Sequence, residues 1–486
     1  MRATKILVTL GPACNSLKGL QQMVEAGADG FRLNFSHGTD AEHREVLRRA
    51  HQVVDHRALP VALVADLQGP KIRIGRLAAH QVDLATGAEL LLGPDPAPGT
   101  SQRIPVSIPH LIQLVETGDP LLLGDGTVSL TVLGTEGRFV RARVAHGGKV
   151  SEHAGLFLPR AKLRPAILGE KDRRDLAIAL EEGVDYVAVS FVQGGEDLRT
   201  VRAAIHRACP AAEVGLIAKI ERREALDHLE MILSESDALM VARGDLGIEV
   251  PLDRLALEQK EIVRRANAAG KVVIVATQML FSMVEAARPT RAEATDVANA
   301  VLDGADAVML SEESAIGRYP NEAVGWLARI ATASESAIDR RRFSEPADPP
   351  RQDASVAALA VRLAEESGAG AIVAPTHSGR TPLQVARHRP GCPIWAMVAN
   401  PSVRRRLALA WGVRSFPLPR PLNLIELRDL AVEIARREKL PGVGPLVLTA
   451  GFPVEGRPTN LVTLIDRPVK RSRSPARRPV PRRSPA

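Results

Sequence analysis

The repeating unit of this chain is clearest in residues 214–245, which read VGLIAKIERREALDHLEMILSESDALMVARGD. Two short apolar runs, at 214–220 and 238–242, enclose a segment with a helical pattern. A strand, a helix and a second strand in this order usually place both strands parallel in one sheet. The unit therefore predicts an α/β fold with a parallel sheet.

Six more apolar runs of strand length extend the pattern on both sides of this unit. They lie at 6–10, 30–35, 61–66, 186–191, 272–276 and 307–310, and helical patterns such as 196–209 and 291–302 separate most of them. Eight strand–helix units favour a (β/α)8 TIM barrel. An open doubly wound sheet remains the alternative, because strand counts from one sequence are easily wrong by one or two.

One long segment, 71–168, interrupts the alternation. It has no helical period, and its short β-like runs are broken by Gly, Pro and Asp. We interpret it as an inserted all-β domain, with the barrel divided into residues 1–70 and 169–342. An insertion after the third barrel strand lies over the face where barrel enzymes keep their active sites, so it would act as a lid.

The C-terminal part of the chain has its own organisation. Residues 343–352 are rich in Pro and Asp and predict a linker, and residues 353–466 resume an α/β pattern that predicts a separate three-layer domain. The last stretch, 467–486, consists mainly of Arg, Pro and Ser. It cannot bury a core, and we expect a disordered basic tail.

Charge and cysteine content narrow the class of protein. The net charge is +8, and the tail alone carries eight basic residues and no acidic one, so residues 1–466 are formally neutral. The positive charge is therefore a property of the tail and gives no support for nucleic-acid binding by the folded body. The three cysteines are far apart and favour a reducing, cytoplasmic location. No apolar run approaches the roughly 20 residues of a membrane helix.

Polar residues cluster where the predicted barrel strands end. Arg32, Asp66, Glu221, Asp245 and Thr277 all lie at or just after such ends. In a barrel these ends converge on one mouth, so the side chains would meet there. A single polar residue at a strand end can simply face solvent. Lys219 is different, because it lies inside the apolar run 214–220. A lysine in such a place needs a buried partner or a chemical role.

Eight segments together carry a resemblance to a known family. The chain resembles the pyruvate kinases in residues 4–12 (TKILVTLGP), 32–38 (RLNFSHG), 66–73 (DLQGPKIR), 217–221 (IAKIE), 240–247 (MVARGDLG), 276–279 (ATQM), 289–293 (PTRAE) and 309–317 (MLSEESAIG). The resemblance implies a barrel with an inserted lid and a C-terminal α/β domain. It also implies a glycolytic, cytoplasmic homotetramer that transfers the phosphoryl group of phosphoenolpyruvate to ADP, giving pyruvate and ATP.

The resemblance assigns a role to each polar residue at the mouth. Glu221 and Asp245 would hold Mg²⁺ or Mn²⁺, since both ions prefer carboxylate oxygens. Lys219 would place a cation beside the moving phosphoryl group. Arg32 would bind the substrate phosphate, and the N–H groups of Gly244 and Asp245 would bind the substrate carboxylate. Thr277 would assist protonation through a water. Arg73 and His37 would bind the nucleotide phosphates. For His37 a purely structural role is an equal alternative.

The chain departs from the family at the site where many members bind K⁺. Leu67, Gln68, Lys71 and Ile74 stand where those members have Thr, Lys, Glu and Thr. A K⁺ ion needs oxygen ligands, and an ammonium could supply the same single charge. We therefore predict that K⁺ is not required, and that Asn34, Ser36, Asp66 and the carbonyl of Leu67 surround the ammonium of Lys71. The alternative is a surface lysine at the lid hinge.

A second candidate site lies in the C-terminal domain. A predicted strand at 371–375 is followed by Thr376, His377, Ser378, Gly379, Arg380 and Thr381, and then by a helix. Hydroxyls and backbone N–H groups at a helix start can bind an anion, although a helix cap explains them equally well. The segment resembles the effector loop of the family, which implies allosteric activation by a sugar phosphate or AMP.

Two rival interpretations remain at this point. One is another barrel enzyme that acts on phosphoenolpyruvate or pyruvate through a metal, such as a lyase or an aldolase. The other is an inactive regulatory or RNA-binding protein on a kinase scaffold. The inserted lid and Lys219 argue against the first, and the intact set of Arg32, Lys219, Glu221, Asp245 and Thr277 argues against the second.

Overall fold

The computed structural model describes residues 2–55, 60–106, 108, 110–124, 126–159, 165–343, 351–440, 444–451 and 459–467. Most of the predicted linker and all but the first residue of the predicted tail lie outside these ranges. Within them, every helix is too short or too polar to cross a membrane.

Eight parallel strands close into a barrel, which confirms the predicted fold class. The first part of the chain supplies β1 (Lys5–Leu10), α1 (Leu17–Ala26), β2 (Gly30–Asn34), α2 (Asp40–Asp55) and β3 (Ala62–Asp66). The neighbouring strands β1 and β2 pair in register from Leu7 and Gly30 onward. All residues of β1 and β3 are buried, as expected for strands covered on both faces.

The inserted segment forms β-sheets with their own core. Its strands are β4 (Gln81–Leu84), β5 (Glu89–Gly93), β6 (Arg103–Pro105), β7 (Pro120–Leu123), β8 (Val128–Glu136), β9 (Phe139–His146), β10 (Gly148–Ser151) and β11 (Leu156–Phe157). They build a six-stranded sheet and a separate β4–β10 pair. In β9, Val140, Ala142 and Val144 are buried and alternate with exposed Arg141 and Arg143, which gives the sheet one apolar face.

The barrel resumes after the insertion and runs to α11. Its elements are α3 (Glu170–Glu181), β12 (Tyr186–Val189), α4 (Gly195–Ala208), β13 (Gly215–Ile220), α5 (Arg223–Asp227), α6 (Leu229–Glu235), β14 (Ala238–Ala242), α7 (Arg243–Glu249), α8 (Leu255–Ala269), β15 (Val272–Ala276), α9 (Arg291–Asp303), β16 (Ala307–Leu310), α10 (Glu312–Ala315) and α11 (Pro320–Glu335). Around the barrel the strand order is β1-β16-β15-β14-β13-β12-β3-β2.

Four aspartates form a ring at the N-terminal end of the barrel, and we call them the base ring. Each precedes one strand and accepts a hydrogen bond from a backbone N–H of the neighbouring strand, at 2.8 to 3.1 Å. Each also pairs with an arginine. The four pairs are Asp29 with Arg2, Asp185 with Arg405, Asp237 with Arg202, and Asp306 with Arg389.

The C-terminal domain is a five-stranded sheet covered by helices. Its elements are α12 (Gln352–Ser367), β17 (Ala371–Thr376), α13 (Arg380–Ala386), β18 (Ile394–Val398), α14 (Pro401–Arg406), β19 (Val413–Pro417), α15 (Leu424–Arg437), β20 (Leu446–Ala450) and β21 (Leu461–Ile465). The order is β19-β18-β17-β20-β21, and only β21 runs antiparallel to its neighbour. Arg389 and Arg405 of the base-ring pairs belong to this domain, so it is anchored on the base of the barrel.

Candidate active site

Lys219 lies at the centre of the C-terminal mouth of the barrel. Its Nζ is 2.8 Å from Glu221 Oε1, 3.2 Å from Asp66 Oδ1 and 2.7 Å from Ser190 Oγ. Glu221 follows β13, Asp66 ends β3 and Ser190 follows β12, and these three strands are adjacent in the barrel. The lysine that the sequence placed inside an apolar strand therefore has three polar partners in one buried cluster.

A second cation reaches the same cluster from β2. The Nε atom of Arg32 lies 2.6 Å from Asp66 Oδ2, and its Nη1 donates to the hydroxyl of Thr9 at 2.9 Å. Burial alone would raise the pKa of Asp66, but Lys219 and Arg32 outweigh it and hold the pKa below its usual range. Asp66 stays ionised and fixes both cations in place.

The pKa of Glu221 is shifted in the opposite direction. Burial raises its pKa despite the nearby Lys219, and the negative charges of Asp245 and Asp66 raise it further. The other carboxylate oxygen accepts the backbone N–H of Phe191 at 2.7 Å, and Phe191 holds an unusual φ of +59°. Two carboxylates that repel each other at one mouth are a donor set that suits a divalent cation.

Lys71 contacts the second of these carboxylates. Its Nζ is 2.9 Å from Asp245 Oδ1 and lies 5.0 Å from the centre of the Phe157 ring in the lid. The ligands expected for this ammonium were Asn34, Ser36, Asp66 and the Leu67 carbonyl, and Asp245 was not among them. Asp66 is taken up by Arg32 and Lys219, Asn34 Oδ1 accepts the N–H of Ser36, and the Leu67 carbonyl accepts the Ser190 hydroxyl.

Thr277 lies at the end of β15, beside the start of α7. Its Oγ1 accepts the Gly244 N–H at 2.8 Å and donates to the Ala276 carbonyl at 2.6 Å. Its φ of +72° is strained for a β-branched residue. The Gly244 N–H, which we expected to be available to a substrate carboxylate, is thus bonded to Thr277. Such strain at a mouth residue is typical of functional sites.

Comparisons with known proteins agree with this geometry. The family described as "Pyruvate kinase, barrel domain" matches residues 1–324, and "Pyruvate kinase, alpha/beta domain" matches residues 354–465. The chain belongs to the pyruvate kinase family. It is therefore a phosphotransferase with phosphoenolpyruvate and ADP as its substrates, and not the barrel lyase or aldolase held as an alternative.

Individual relatives support the same assignment over nearly the whole chain. The pyruvate kinase of Geobacillus stearothermophilus is 40% identical over 95% of this chain and 80% of its own length. That of Mycobacterium tuberculosis is 43% identical over 93% of this chain and 95% of its own. The crystal structure of a pyruvate kinase from Cryptosporidium parvum superimposes with a TM-score of 0.90 at 34% identity, covering 96% of both chains.

The two residues matched to the nucleotide site in pyruvate kinases lie at the rim of the mouth. Burial lowers the pKa of His37, and the nearby charges of Arg73 and Arg32 lower it further. The backbone carbonyl of His37 accepts a hydrogen bond from His43 at 2.6 Å. Arg73 donates to the His153 carbonyl of the lid at 2.9 Å and is half-buried. His37 and Arg73 therefore lie close to each other beside the lid.

The segment that resembles the effector loop of pyruvate kinases connects β17 to α13. Its internal bonds join the Gly379 N–H to Thr376 Oγ1 at 3.0 Å and link the hydroxyls of Thr381 and Thr459 at 2.8 Å. Ser378 and Arg380 are exposed, and Arg380 Nε lies 2.6 Å from Asp353. Gly379 has a φ of +89°, which explains glycine at this turn.

Sequence reasoning missed two members of the central cluster. No role was predicted for Ser190 or Thr9, yet they bond Lys219 and Arg32 directly. The available signal was the same for both. Each is a polar residue in or immediately after an otherwise apolar strand.

Proposed function

We propose that the cluster around Lys219 is the catalytic centre for phosphoryl transfer from phosphoenolpyruvate to ADP. Arg32 and Lys219 bind the substrate phosphate, and Lys219 remains beside it as negative charge moves onto the bridging and terminal oxygens. The observation that carries this proposal is the placement of Lys219 between Asp66 and Glu221 in one barrel mouth. Asp66 keeps both cations charged and oriented.

We assign the divalent cation to Glu221 and Asp245. Members of the family generally use Mg²⁺. Burial raises the pKa of Glu221 and the nearby charge of Asp245 raises it further, which fits a divalent ion shared by the two carboxylates. When bound, Mg²⁺ or Mn²⁺ supplies positive charge to the substrate oxygens. In this arrangement the Lys71 ammonium shares Asp245 with the ion.

The protein's own groups organise the remaining steps. The P–O bond of phosphoenolpyruvate breaks and a bond forms to the terminal phosphate oxygen of ADP, which leaves the enolate of pyruvate. Thr277 orients a water that delivers a proton to the enolate carbon, because a threonine hydroxyl alone is too weak an acid. The first turn of α7, with the N–H groups of Gly244 and Asp245, faces the substrate carboxylate once Gly244 leaves Thr277. Arg73 and His37 bind the ADP phosphates.

The direct test is ATP formation by the purified full chain from phosphoenolpyruvate, ADP and Mg²⁺. Glu221→Gln tests the metal assignment, and Mn²⁺ titration followed by electron paramagnetic resonance measures ion binding without turnover. We expect weaker Mn²⁺ binding in Glu221→Gln than in Glu224→Gln, a nearby control whose side chain is partly exposed. Equal Mn²⁺ affinity in the two variants would remove Glu221 from the metal site.

We further propose that the enzyme does not need K⁺. The Lys71 ammonium lies beside the metal-site carboxylate Asp245 and supplies a single positive charge where many family members use the ion. Activity should be unchanged when K⁺ is replaced by tetramethylammonium. In Lys71→Gln the added charge is lost, and we expect activity to become dependent on K⁺. A large loss of activity in the unmodified chain without K⁺ contradicts the proposal.

We also propose allosteric activation through the loop of Thr376, Ser378, Gly379, Arg380 and Thr381. Hydroxyls and the Arg380 guanidinium at a glycine turn suit the phosphate of a sugar phosphate or of AMP. Ser378→Ala and Arg380→Ala should abolish activation and spare basal turnover, because neither lies in the barrel mouth. Full activation of both variants would remove the loop from regulation.

Finally, we propose a homotetramer, as the family resemblance implies. Large apolar side chains on the barrel surface, among them Leu252 and Ile316, are 77% and 58% exposed in the single chain, which is consistent with contacts between subunits. Light scattering coupled to size-exclusion chromatography measures the assembly directly, and a monomer at micromolar concentration would contradict it.

A further inference from the structure

A cluster of possible metal ligands lies between α2 and α3, outside the proposed catalytic centre. One ligand atom from each of Asp40, His43 and Asp175 lies within 4.8 Å of the other two. Asp40 is exposed at the start of α2, whereas His43 and Asp175 are only 3% and 1% exposed. The cluster shares no residue with the Glu221–Asp245 pair, so it is a separate site.

The helical spacing of α2 brings two of the three donors together. Asp40 and His43 are three positions apart, which places them on the same face of a helix. The ring of His43 packs against Phe35, with the two ring centres 4.3 Å apart, and this contact fixes its orientation. Asp175 comes from α3, which packs against α2. The third donor therefore arrives only in the folded chain.

The hydrogen bonding of His43 decides which ring nitrogen can bind an ion. Its Nε2 lies 2.6 Å from the backbone carbonyl oxygen of His37. Since a carbonyl oxygen can only accept, Nε2 carries the proton and Nδ1 presents a lone pair. Nδ1 is buried and has no hydrogen-bond partner among the described residues. Histidines that bind a metal almost always donate their other N–H to a group such as this carbonyl.

The carboxylate of Asp175 is also held in place by a neighbour. Lys171 Nζ donates to Asp175 Oδ2 at 2.6 Å and to the Phe35 carbonyl at 2.6 Å. Burial raises the pKa of Asp175 in spite of Lys171, so one ammonium compensates the buried charge only in part. Hydrogen bonds of this kind orient carboxylates that bind a metal, and the second carboxylate oxygen can face the ion.

The three donors repel one another unless a cation lies between them. A proton on His43 Nδ1 would lack a partner, because no acceptor of the described residues is in position to receive a hydrogen bond from it. A metal ion can join donors that are too far apart for a hydrogen bond. Ligand atoms around a tetrahedral ion with bonds of about 2.0 Å are about 3.3 Å apart. The cluster must therefore contract, and the exposed Asp40 is the donor that can move.

We propose that Asp40, His43 and Asp175 bind a divalent transition-metal ion such as Zn²⁺, with water completing its coordination. An imidazole nitrogen beside two carboxylates favours Zn²⁺, Co²⁺ or Ni²⁺, whereas the carboxylate pair at the mouth suits Mg²⁺. The ion would join α2 to α3. Through the bond from His43 to the His37 carbonyl, it would also stabilise the loop before α2.

Binding of Co²⁺ to the untagged full chain tests the site, because Co²⁺ with a histidine and carboxylates absorbs visible light. Excess Mg²⁺ keeps Glu221 and Asp245 occupied during the titration. His43→Gln keeps an N–H group that can reach the His37 carbonyl and removes the Nδ1 ligand. Loss of a direct ligand should exceed the roughly 10- to 100-fold cost of losing an outer partner, so we expect Co²⁺ binding to weaken at least about a hundredfold. Zn²⁺ should displace Co²⁺ from the unmodified chain.

A second variant and two matched controls support this measurement. Asp40→Asn changes an exposed side chain, so it keeps the test valid if His43→Gln does not fold, and it should weaken Co²⁺ binding at least about tenfold. His206→Gln on α4 and Asp83→Asn on β4 make the same changes at exposed positions away from the cluster. Both controls should bind Co²⁺ like the unmodified chain.

Thermal unfolding gives an independent readout. Zn²⁺ should raise the Tm of the unmodified chain and of His206→Gln, and leave that of His43→Gln unchanged. Equal Co²⁺ affinity in His43→Gln, Asp40→Asn and the unmodified chain would place the ion elsewhere and overturn the proposal. Failure of the unmodified chain to bind either ion would overturn it as well, and would leave His43 and Asp175 as an imidazolium–carboxylate pair. None of these measurements uses turnover, so they do not depend on the assignment of phosphoryl transfer.

Discussion

The two ends of the barrel use carboxylates in opposite ways. At the base, each aspartate of the ring accepts a backbone N–H and pairs with an arginine of the chain. At the mouth, Asp66, Glu221 and Asp245 bond mainly to cations that the proposed reaction requires, namely Lys219, Arg32 and Lys71. The carboxylates of the base are paired with arginines of the same chain, whereas the mouth concentrates charged groups that can bind substrates. Barrel enzymes commonly divide stability and activity between these two ends.

The pKa values of two buried aspartates show the same difference between the base and the mouth. Burial raises the pKa of Asp185 at the base in spite of Arg405 and the Leu63 N–H. The pKa of Asp66 at the mouth is lowered, because two cations outweigh its burial. One counter-charge compensates burial only partly, and two reverse it.

The largest effect is expected on activity at the mouth. Lys219→Met should lower kcat by about 10²- to 10³-fold, because it removes a fixed cation from the reacting phosphoryl group. Lys5→Met is a matched control: Lys5 is also a buried lysine of a barrel strand, but it bonds the Val413 carbonyl at the base, at 2.8 Å. Steady-state kinetics of the two variants should differ sharply, and similar losses in both would break the comparison.

The next effect is on stability at the base. Arg389→Met should lower the free energy of unfolding by about 3–5 kcal/mol, because Asp306 then stays buried without its counter-charge. Denaturant unfolding measures the loss, and kcat of the folded enzyme should stay near that of the unmodified chain. The double variant Arg389→Met with Asp306→Asn should recover part of the stability. No recovery would mean that Arg389 acts through its packing on Phe343 and Trp411 instead.

Glu249, a carboxylate near the mouth, tests whether negative charge there lowers the free energy of unfolding. Burial raises the pKa of Glu249 to about 7, with Arg222 opposing and Glu224 and Asp245 reinforcing the shift. The folded state then holds a proton that the unfolded state releases near its ordinary pKa of 4.5, so this group's contribution to stability falls as the pH rises from about 4.5 to about 7. Glu249→Gln should remove up to about 3 kcal/mol of this dependence. An unchanged pH profile of unfolding would contradict the shift.

The smallest effect is expected at the most exposed member of the base ring. The side chains of Arg202 and Asp237 are 46% and 44% exposed, whereas those of Arg389 and Asp306 are 1% and 4% exposed. Arg202→Gln should therefore change the free energy of unfolding by less than about 1 kcal/mol. A loss as large as that of Arg389→Met would mean that burial does not set the strength of these pairs.

The sequence predicted the mouth far better than the base. Lys219, Glu221 and Arg32 could be singled out because polar residues interrupt or end strands that are otherwise apolar. The base-ring aspartates also stand next to apolar strands, but an Asp at a strand start has the ordinary appearance of a turn in solvent. Two of their arginine partners, Arg389 and Arg405, lie in a different domain, and no local pattern joins them to the aspartates.

The partner of Lys71 shows a second limit of sequence reasoning. The departure at positions 67–74 drew attention to this lysine, and the surrounding hydroxyls and carbonyls suggested nearby ligands. Asp245 is 174 positions away in the chain. Which of several carboxylates an ammonium approaches depends on which are already neutralised, and that follows only from the packed structure.

The base ring also joins the barrel strands in pairs. Each ring aspartate forms two hydrogen bonds with one residue of the preceding strand. Its backbone N–H donates to the carbonyl of that residue, and its carboxylate accepts the N–H of the same residue, as Asp306 does with Val273. The ring thus clamps β1 to β2, β3 to β12, β13 to β14 and β15 to β16. These carboxylate bonds add to the backbone ladder at every second junction between neighbouring strands, so we expect those four junctions to be the last to separate when the barrel unfolds.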